Sequence, residues 1–438
     1  MIKEENLIGR QIKPERGRYF RLNTLGPGLL FAATSVGASH LVQSTRAGAL
    51  YGLALLGVII IANIIKYPAF RSASDYVAAT GTTLLEAYRC QGRGVLLLFF
   101  IITLSTMTFA VPSLALLSAG LLKVVFSLTA SPFLLAMGLI VGTSALLVIG
   151  HYRTLENIIK VLIILMVICT LIATAVVIPD VEWGGGIKLL PVNLDMAGIM
   201  FIAALIGWMP VPLDVSIWQS LWAKTKRENS DNPPTMAESQ FDFNLGYGGT
   251  LVLAICFLLM GAGLIHGKDI VLADGATAFS AQLINLYESI FGSFVGPIVG
   301  IAALAIVYSS LLTVMDAFPR TLAVLYRRYQ GIVEVEDQYK LTENSQFYIT
   351  VLVIMTLGAA LTYRYFLTSL TLMIDIGATM AFVTAPVIAT LNYRAITSAV
   401  VPLEYQPGIQ SRRYSLFCIG TMVAFALAYL YLRVGRVV

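Results

Sequence analysis

Residues 33–48, ATSVGASHLVQSTRAG, set Thr34, Ser35, Ser39, His40, Gln43, Ser44, Thr45 and Arg46 into the middle of an apolar run. An arginine at mid-helix costs about 2.5–3.5 kcal/mol to insert into a bilayer, so these groups are expected to face a wet cavity or a partner. Gly37 weakens the helix where the polar run begins. A second interruption is Trp208-Met209-Pro210-Val211-Pro212, whose prolines remove two backbone donors and push the preceding residues out of the α region. Carbonyls and amides freed in this way need a cavity or a ligand, unless the prolines merely kink the helix. The half-helix ends at Gly37, Ala38, Ser39 and His40, and at Gly207, Trp208 and Met209, are therefore the candidate substrate groups, with Arg46 beside them.

Other polar groups sit within apolar segments. His40 could donate to a substrate or carry a proton, or simply bond within a helix bundle; His151 and His266 fall at segment ends. Arg46 could attract an anion, or pair with Asp214 or Asp375. Ser309, Ser310 and Thr313 share one helical face. Together with carbonyls near Thr34 and Gly37 they suit Na⁺, although such hydroxyls also bond back to their own helix. Asp316 lies one turn from Arg320. The cysteines, Cys90, Cys169, Cys256 and Cys418, lie in or beside apolar segments without metal-binding spacing and read as small hydrophobes.

The elements that position these groups follow from composition. Of 438 residues 58% are hydrophobic and 12% charged, with mean hydropathy +0.81, which marks an all-α integral membrane protein embedded in a lipid bilayer. The formal charge of +5 is spread over short loops and is no nucleic-acid signal. The first 23 residues are polar and basic, without the pattern of a cleavable signal peptide. Eleven apolar windows read as spans: 25–50, 52–76, 94–122, 132–150, 155–178, 195–222, 246–266, 291–325, 347–364, 368–392 and 415–434. Polar stretches at 223–245, 267–285 and 329–346 read as loops, with 276–290 as an interfacial helix. With the N-terminus in the cytoplasm, about 22 of the 29 Lys and Arg residues fall on the cytoplasmic face, Lys66 among them, and the C-terminus lies outside.

Two stretches echo each other. Phe31-Ala32-Ala33-Thr34-Ser35-Val36-Gly37 and Phe201-Ile202-Ala203-Ala204-Leu205-Ile206-Gly207 share Phe, the third-position Ala and the final Gly. Five spans separate them, so the two halves are inverted relative to one another, and paired broken helices in inverted halves point to a secondary transporter.

At these residues the chain resembles the Nramp family, metal transporters of the LeuT-type fold. Gly26-Pro27-Gly28, Ala47-Gly48-Ala49 with Tyr51-Gly52, Met209-Pro210 and Ser309-Ser310 with Thr313 carry the resemblance. It implies ten core helices in two inverted five-helix repeats, about 24–178 and 195–392, within a core of 24–392. Residues 1–23 would be a cytoplasmic segment and 393–438 a loop with an eleventh helix. The family's metal-binding Asp-Pro-Gly-Asn motif reads Gly37-Ala38-Ser39-His40 here, and its Met-Pro-His motif reads Met209-Pro210-Val211. The acids of span 3 and arginines of span 9 on the family's proton route have no counterparts in Thr106–Ser118 or in span 9 through Thr362.

A divalent cation at mid-membrane needs a nearby carboxylate, and Gly37 supplies none. Two half-helix N-termini with Ser39, His40 and Arg46 suit a small anion instead. The expectation is thus a secondary-active anion transporter at the cell membrane, for bicarbonate, coupled to Na⁺ and without other cofactors. The alternative is a divalent metal carrier (Mn²⁺/Fe²⁺ or Mg²⁺), in which Asp214, Asp375 or Met209 rebuilds the site. Further alternatives are a carrier of another small solute such as an amino acid, and a non-transporting receptor. Nothing in the sequence forms the side-chain set of an enzyme.

Overall fold

The computed structural model describes residues 25–149, 153–183, 195–268, 270–331 and 346–434. The basic N-terminal segment, His151 and most of the 329–346 loop lie outside these residues. Among the described residues there are helices and turns but no strand, and each of the eleven expected windows falls on helix. Among the described residues eight helical segments are long and apolar enough to cross a membrane, one of them, 39–80, running on through the turn at Gly52.

The first span is in two pieces. Helix α1 (Pro27–Ser35) stops at Val36-Gly37-Ala38, and a π-helical turn, Ser39–Ser44, leads into α2 (Thr45–Tyr51). Then come α3 (Leu56–Thr80), the short α4 (Leu84–Gln91), α5 (Arg93–Val125), α6 (Pro132–Ile149) and α7 (Arg153–Val177). The sixth span is also split, into α8 (Met196–Trp208) and α9 (Val215–Glu228). Helices α10 (Met236–Leu264), α11 (Ala276–Phe291), α12 (Gly296–Tyr329), α13 (Gln346–Phe366), α14 (Leu370–Ile396) and α15 (Ile409–Val434) complete the chain. Helix starts follow local chemistry: Thr235 and Glu238 close a capping box at α10, and Asp195 accepts from Gly198 N at 2.8 Å to cap α8. The expected 223–245 loop shrinks to 229–235, because α9 and α10 extend into it from either side.

Tight helix crossings hold the broken spans in place. Gly28 meets α10 so closely that an added Cβ would lie 1.9 Å from the Asp242 carbonyl oxygen, and one at Gly246 would lie 2.0 Å from that of Gly28. Gly48 is pressed likewise onto Leu258 of α10, and Gly207 of α8 onto Ala378 of α14. Without a hydrophobic drive between helices in lipid, such backbone approach supplies the packing. Asp242 then secures the start of α1 by accepting from Gly26 N at 2.9 Å and Gly28 N at 2.6 Å. Apolar side chains such as Leu134, Val161, Leu357, Leu361 and Leu427 point outward as the lipid-facing surface. Of the cysteines, Cys256 and Cys418 are buried and Cys169 half-buried, but Cys90 is exposed on α4, because that short helix lies on the bundle's surface and not within a span.

Gly207→Ala drives a Cβ to 1.8 Å from the Ala378 carbonyl oxygen, so α8 and α14 must separate. We expect a loss of about 3 kcal/mol in stability. Gly358→Ala, whose Cβ meets nothing within 4 Å, should leave stability unchanged or slightly raised. Thermal unfolding in detergent compares the two.

Candidate functional site

The two interruptions meet. A cavity between them is lined by Thr34, Gly37, Ala38 and Ser39 from the first span and by Trp208, Val211, Pro212, Asp214, Val215 and Trp218 from the sixth. Thr106, Ala110 and Leu114 of α5 and Val314 and Phe318 of α12 close it. Trp218 and Phe318 make an edge-to-face contact at 4.9 Å on its wall.

The cavity's charged group is Asp214. It is 2% exposed, and among the described residues neither carboxylate oxygen has a hydrogen-bond partner of good geometry, although the Thr106 hydroxyl and the Val215 amide approach it. It stands immediately before α9, where the positive end of the helix dipole offsets part of its burial. The indole Nε1 of Trp208, also on the lining, has no partner either. Thr34 and Thr106 direct their hydroxyls back to the Leu30 and Ile102 carbonyls at 2.8 and 3.1 Å, leaving oxygen lone pairs at the wall. A buried carboxylate without a partner is costly, and a cation beside it removes that cost.

Three expected substrate groups are turned away. His40 is fully buried: its Nε2 donates to the Thr250 carbonyl at 2.9 Å and its Nδ1 pairs with the Ser39 hydroxyl at 2.8 Å. That same hydroxyl also contacts the Ser35 carbonyl. Met209 packs in an apolar cluster with Ala47, Leu205 and Leu258 rather than on the cavity wall. Gly207 is consumed by the crossing with α14, and the second interruption begins beyond it, at Met209, so the echo of Gly37 and Gly207 is not a match of break to break.

Arg46 takes one of its two expected acids. Its guanidinium binds Asp375 of α14 through two bonds, of 2.8 and 3.0 Å, and bonds Gln43 Oε1 at 3.1 Å. Gln43 Nε2 donates to the same carboxylate at 2.8 Å, and Phe201 lies 4.9 Å beneath the guanidinium. The pair ties the first span to α14 and leaves Asp214 unmatched by arginine. Asp316 likewise holds Arg320, at 2.7 Å.

The hydroxyl face of α12 is partly engaged. Thr313 bonds back to the Ser309 carbonyl at 2.9 Å. Ser310 bonds the Ile306 carbonyl at 3.2 Å and reaches the Ala33 carbonyl of α1 at 3.4 Å, so it alone of the three bonds to the first break. It sits so close to Gly37 that a Cβ there would lie 2.7 Å from its Oγ.

Lys66 corrects the sequence-based placement. Instead of lying on a cytoplasmic face, it is 1% exposed inside the bundle, donating to the Ile206 and Gly207 carbonyls at 2.6 and 2.7 Å. The tally of basic residues counts it with the cytoplasmic face although it falls within the expected span 52–76, and in α3 it lies on the buried side of the helix. Thr106, Trp218 and Phe318 were missed for a different reason: they are ordinary on their own helices and meet only across the cavity.

The model of the family described as natural resistance-associated macrophage protein-like, Nramp, matches residues 28–432. The chain belongs to the Nramp family. It is a membrane transporter. An uncharacterised protein of Pasteurella multocida (strain Pm70) is 30% identical over 413 residues, 93% of this chain and 91% of that one. A crystal structure of the Eremococcus coleocola manganese transporter, in complex with an aromatic bis-isothiourea substituted compound, has a TM-score of 0.70 at 16% identity, covering 95% of this chain and 88% of that one. MhsT in complex with L-phenylalanine gives 0.61 at 14% identity, covering 94% and 99%. These likenesses establish the LeuT-type fold of this Nramp chain.

Asp375→Leu should cost about 2 kcal/mol by stranding Arg46, a figure lowered from the fully buried case because Asp375 is 24% exposed. Arg46→Met combined with Asp375→Leu should recover most of that loss. A double-mutant cycle on thermal unfolding measures the coupling.

Proposed function

We propose that this Nramp protein is a secondary-active transporter of a hard divalent cation, Mg²⁺ or Mn²⁺, with Asp214 as its anionic ligand. The unpartnered Asp214 carboxylate on the cavity wall carries the proposal. The available donors are oxygens: the carboxylate, the hydroxyls of Thr34, Ser39 and Thr106, and carbonyls freed at the breaks. Among the described residues no three His, Cys, Asp or Glu side chains cluster to hold a metal, and the Met209 thioether is packed elsewhere. A lone carboxylate with neutral oxygens suits an ion that keeps several of its waters, as Mg²⁺ does, better than a soft ion that needs sulfur or imidazole.

The expected bicarbonate substrate loses its support. His40 and Arg46 were to receive the anion, and both are engaged by protein groups, while Asp214 would repel it. The family match and the manganese transporter among the structural neighbours also favour a metal. Coupling to Na⁺ stays within the proposal, supported by the reach of Ser310 to the end of α1. The orientation with the N-terminus inside rests on the distribution of basic residues.

Reconstituted into liposomes, the protein should take up Mg²⁺ or Mn²⁺ and not bicarbonate. Asp214→Asn should cut cation uptake about 100-fold, the loss of roughly 3 kcal/mol of charge pairing. Unchanged cation flux in a folded Asp214→Asn variant would place the substrate elsewhere.

A further inference from the structure

Helix α8 ends at Trp208, and α9 does not begin until Val215. The last carbonyls of α8 therefore present the negative end of its dipole inside the bundle. In transporters with broken helices such carbonyl ends hold a coupling cation. Here they hold a side chain: the Lys66 ammonium sits 2.6 Å from the Ile206 carbonyl and 2.7 Å from that of Gly207. Among the described residues no carboxylate bonds to it, and its hydrogen-bonded partners there are main-chain oxygens. Across the same break stands Asp214, at the start of α9 and buried like Lys66, so the break carries one buried group of each sign. Asp214 lines the cavity and Lys66 does not. The end of α1 is different, since its Ala33 carbonyl meets only the neutral hydroxyl of Ser310.

We propose that Lys66 is a built-in cation of the transport site: it fills the carbonyl end of α8 in place of an exchangeable ion, and it offsets Asp214 so that a bound divalent cation is released rather than trapped. The ammonium is covalently fixed, so the α8 end is satisfied in every loading state of the cavity. With one positive and one negative group the empty site is near neutral, and a divalent ion is held only moderately. The second consequence rests on the cation proposal for the cavity; the first does not.

Two variants separate the roles. The amide of Lys66→Gln can still donate to both carbonyls but carries no charge, whereas Lys66→Met can do neither. In choline-based buffer, Lys66→Met should unfold several degrees below wild type and Lys66→Gln close to it. Replacing choline by Na⁺ should raise the midpoint of Lys66→Met alone, as the free ion takes the ammonium's place. Failure of Lys66→Met to fold while Lys66→Gln folds is the same result in its extreme form. If Lys66→Met instead unfolds at the wild-type temperature in both buffers, the filling role is overturned. For the charge role, Lys66→Gln in liposomes should show a KM for Mg²⁺ or Mn²⁺ at least tenfold lower and a maximal rate at least tenfold lower. A structural role would not produce that split, and wild-type KM and rate would overturn it. If wild type moves neither cation, the charge role falls with the cavity proposal, and the stability comparison alone decides the filling role.

Discussion

A helix interrupted inside a bilayer strands backbone donors and acceptors where water cannot reach them freely, and this structure depends on how they are satisfied. At the first break, local bonds do most of the work: Val36 N donates to Ala32 O, Leu41 N to Gly37 O, and the Ser39 hydroxyl contacts Ser35 O. At the second, Lys66 covers the last carbonyls of α8, while Val215, Ser216 and Ile217 start α9 by donating to Pro212, Leu213 and Asp214. The two breaks are thus satisfied differently, by local bonds at the first and by a charged side chain at the second.

Because the breaks are held this way, the charges nearby divide into two sets. Arg46, Gln43 and Asp375 form a closed group that spends its hydrogen-bonding capacity on holding α14 to the first span. Asp214 is left with burial but no bond, and it faces the cavity. Low dielectric makes both outcomes consequential: paired charges lock elements together, and a buried charge without a bond is costly to hold.

The family's fold is kept by contacts that do not involve the side chains lining the cavity. Glycine crossings at Gly28, Gly48 and Gly207 fix where the broken spans run, independently of which side chains line the space between them. Gly37 now sits where Ser310 presses closest, and no side chain fits there without displacing it. The carboxylate of the cavity comes from the sixth span instead of the first, entering from the start of α9.

The sequence by itself determined the membrane class, helix at each of the eleven expected windows and both interruptions, because these follow from apolar length and from glycine and proline, which act locally. It also brought Gly37, Ala38, Ser39 and Trp208 to the cavity, since each lies at a break. Only the tertiary structure decided what the ionisable side chains do. Arg46 had two acids within plausible reach, and the packing of α14 against α8 brought it Asp375. His40 could face the cavity or the bundle, and the crossing with α10 turned it to Thr250. Lys66 was counted with the cytoplasmic face, and the packing of α3 against the end of α8 placed it between main-chain carbonyls instead. Charge pairing in a membrane depends on which helices touch at which depth, and no local pattern in the chain encodes that.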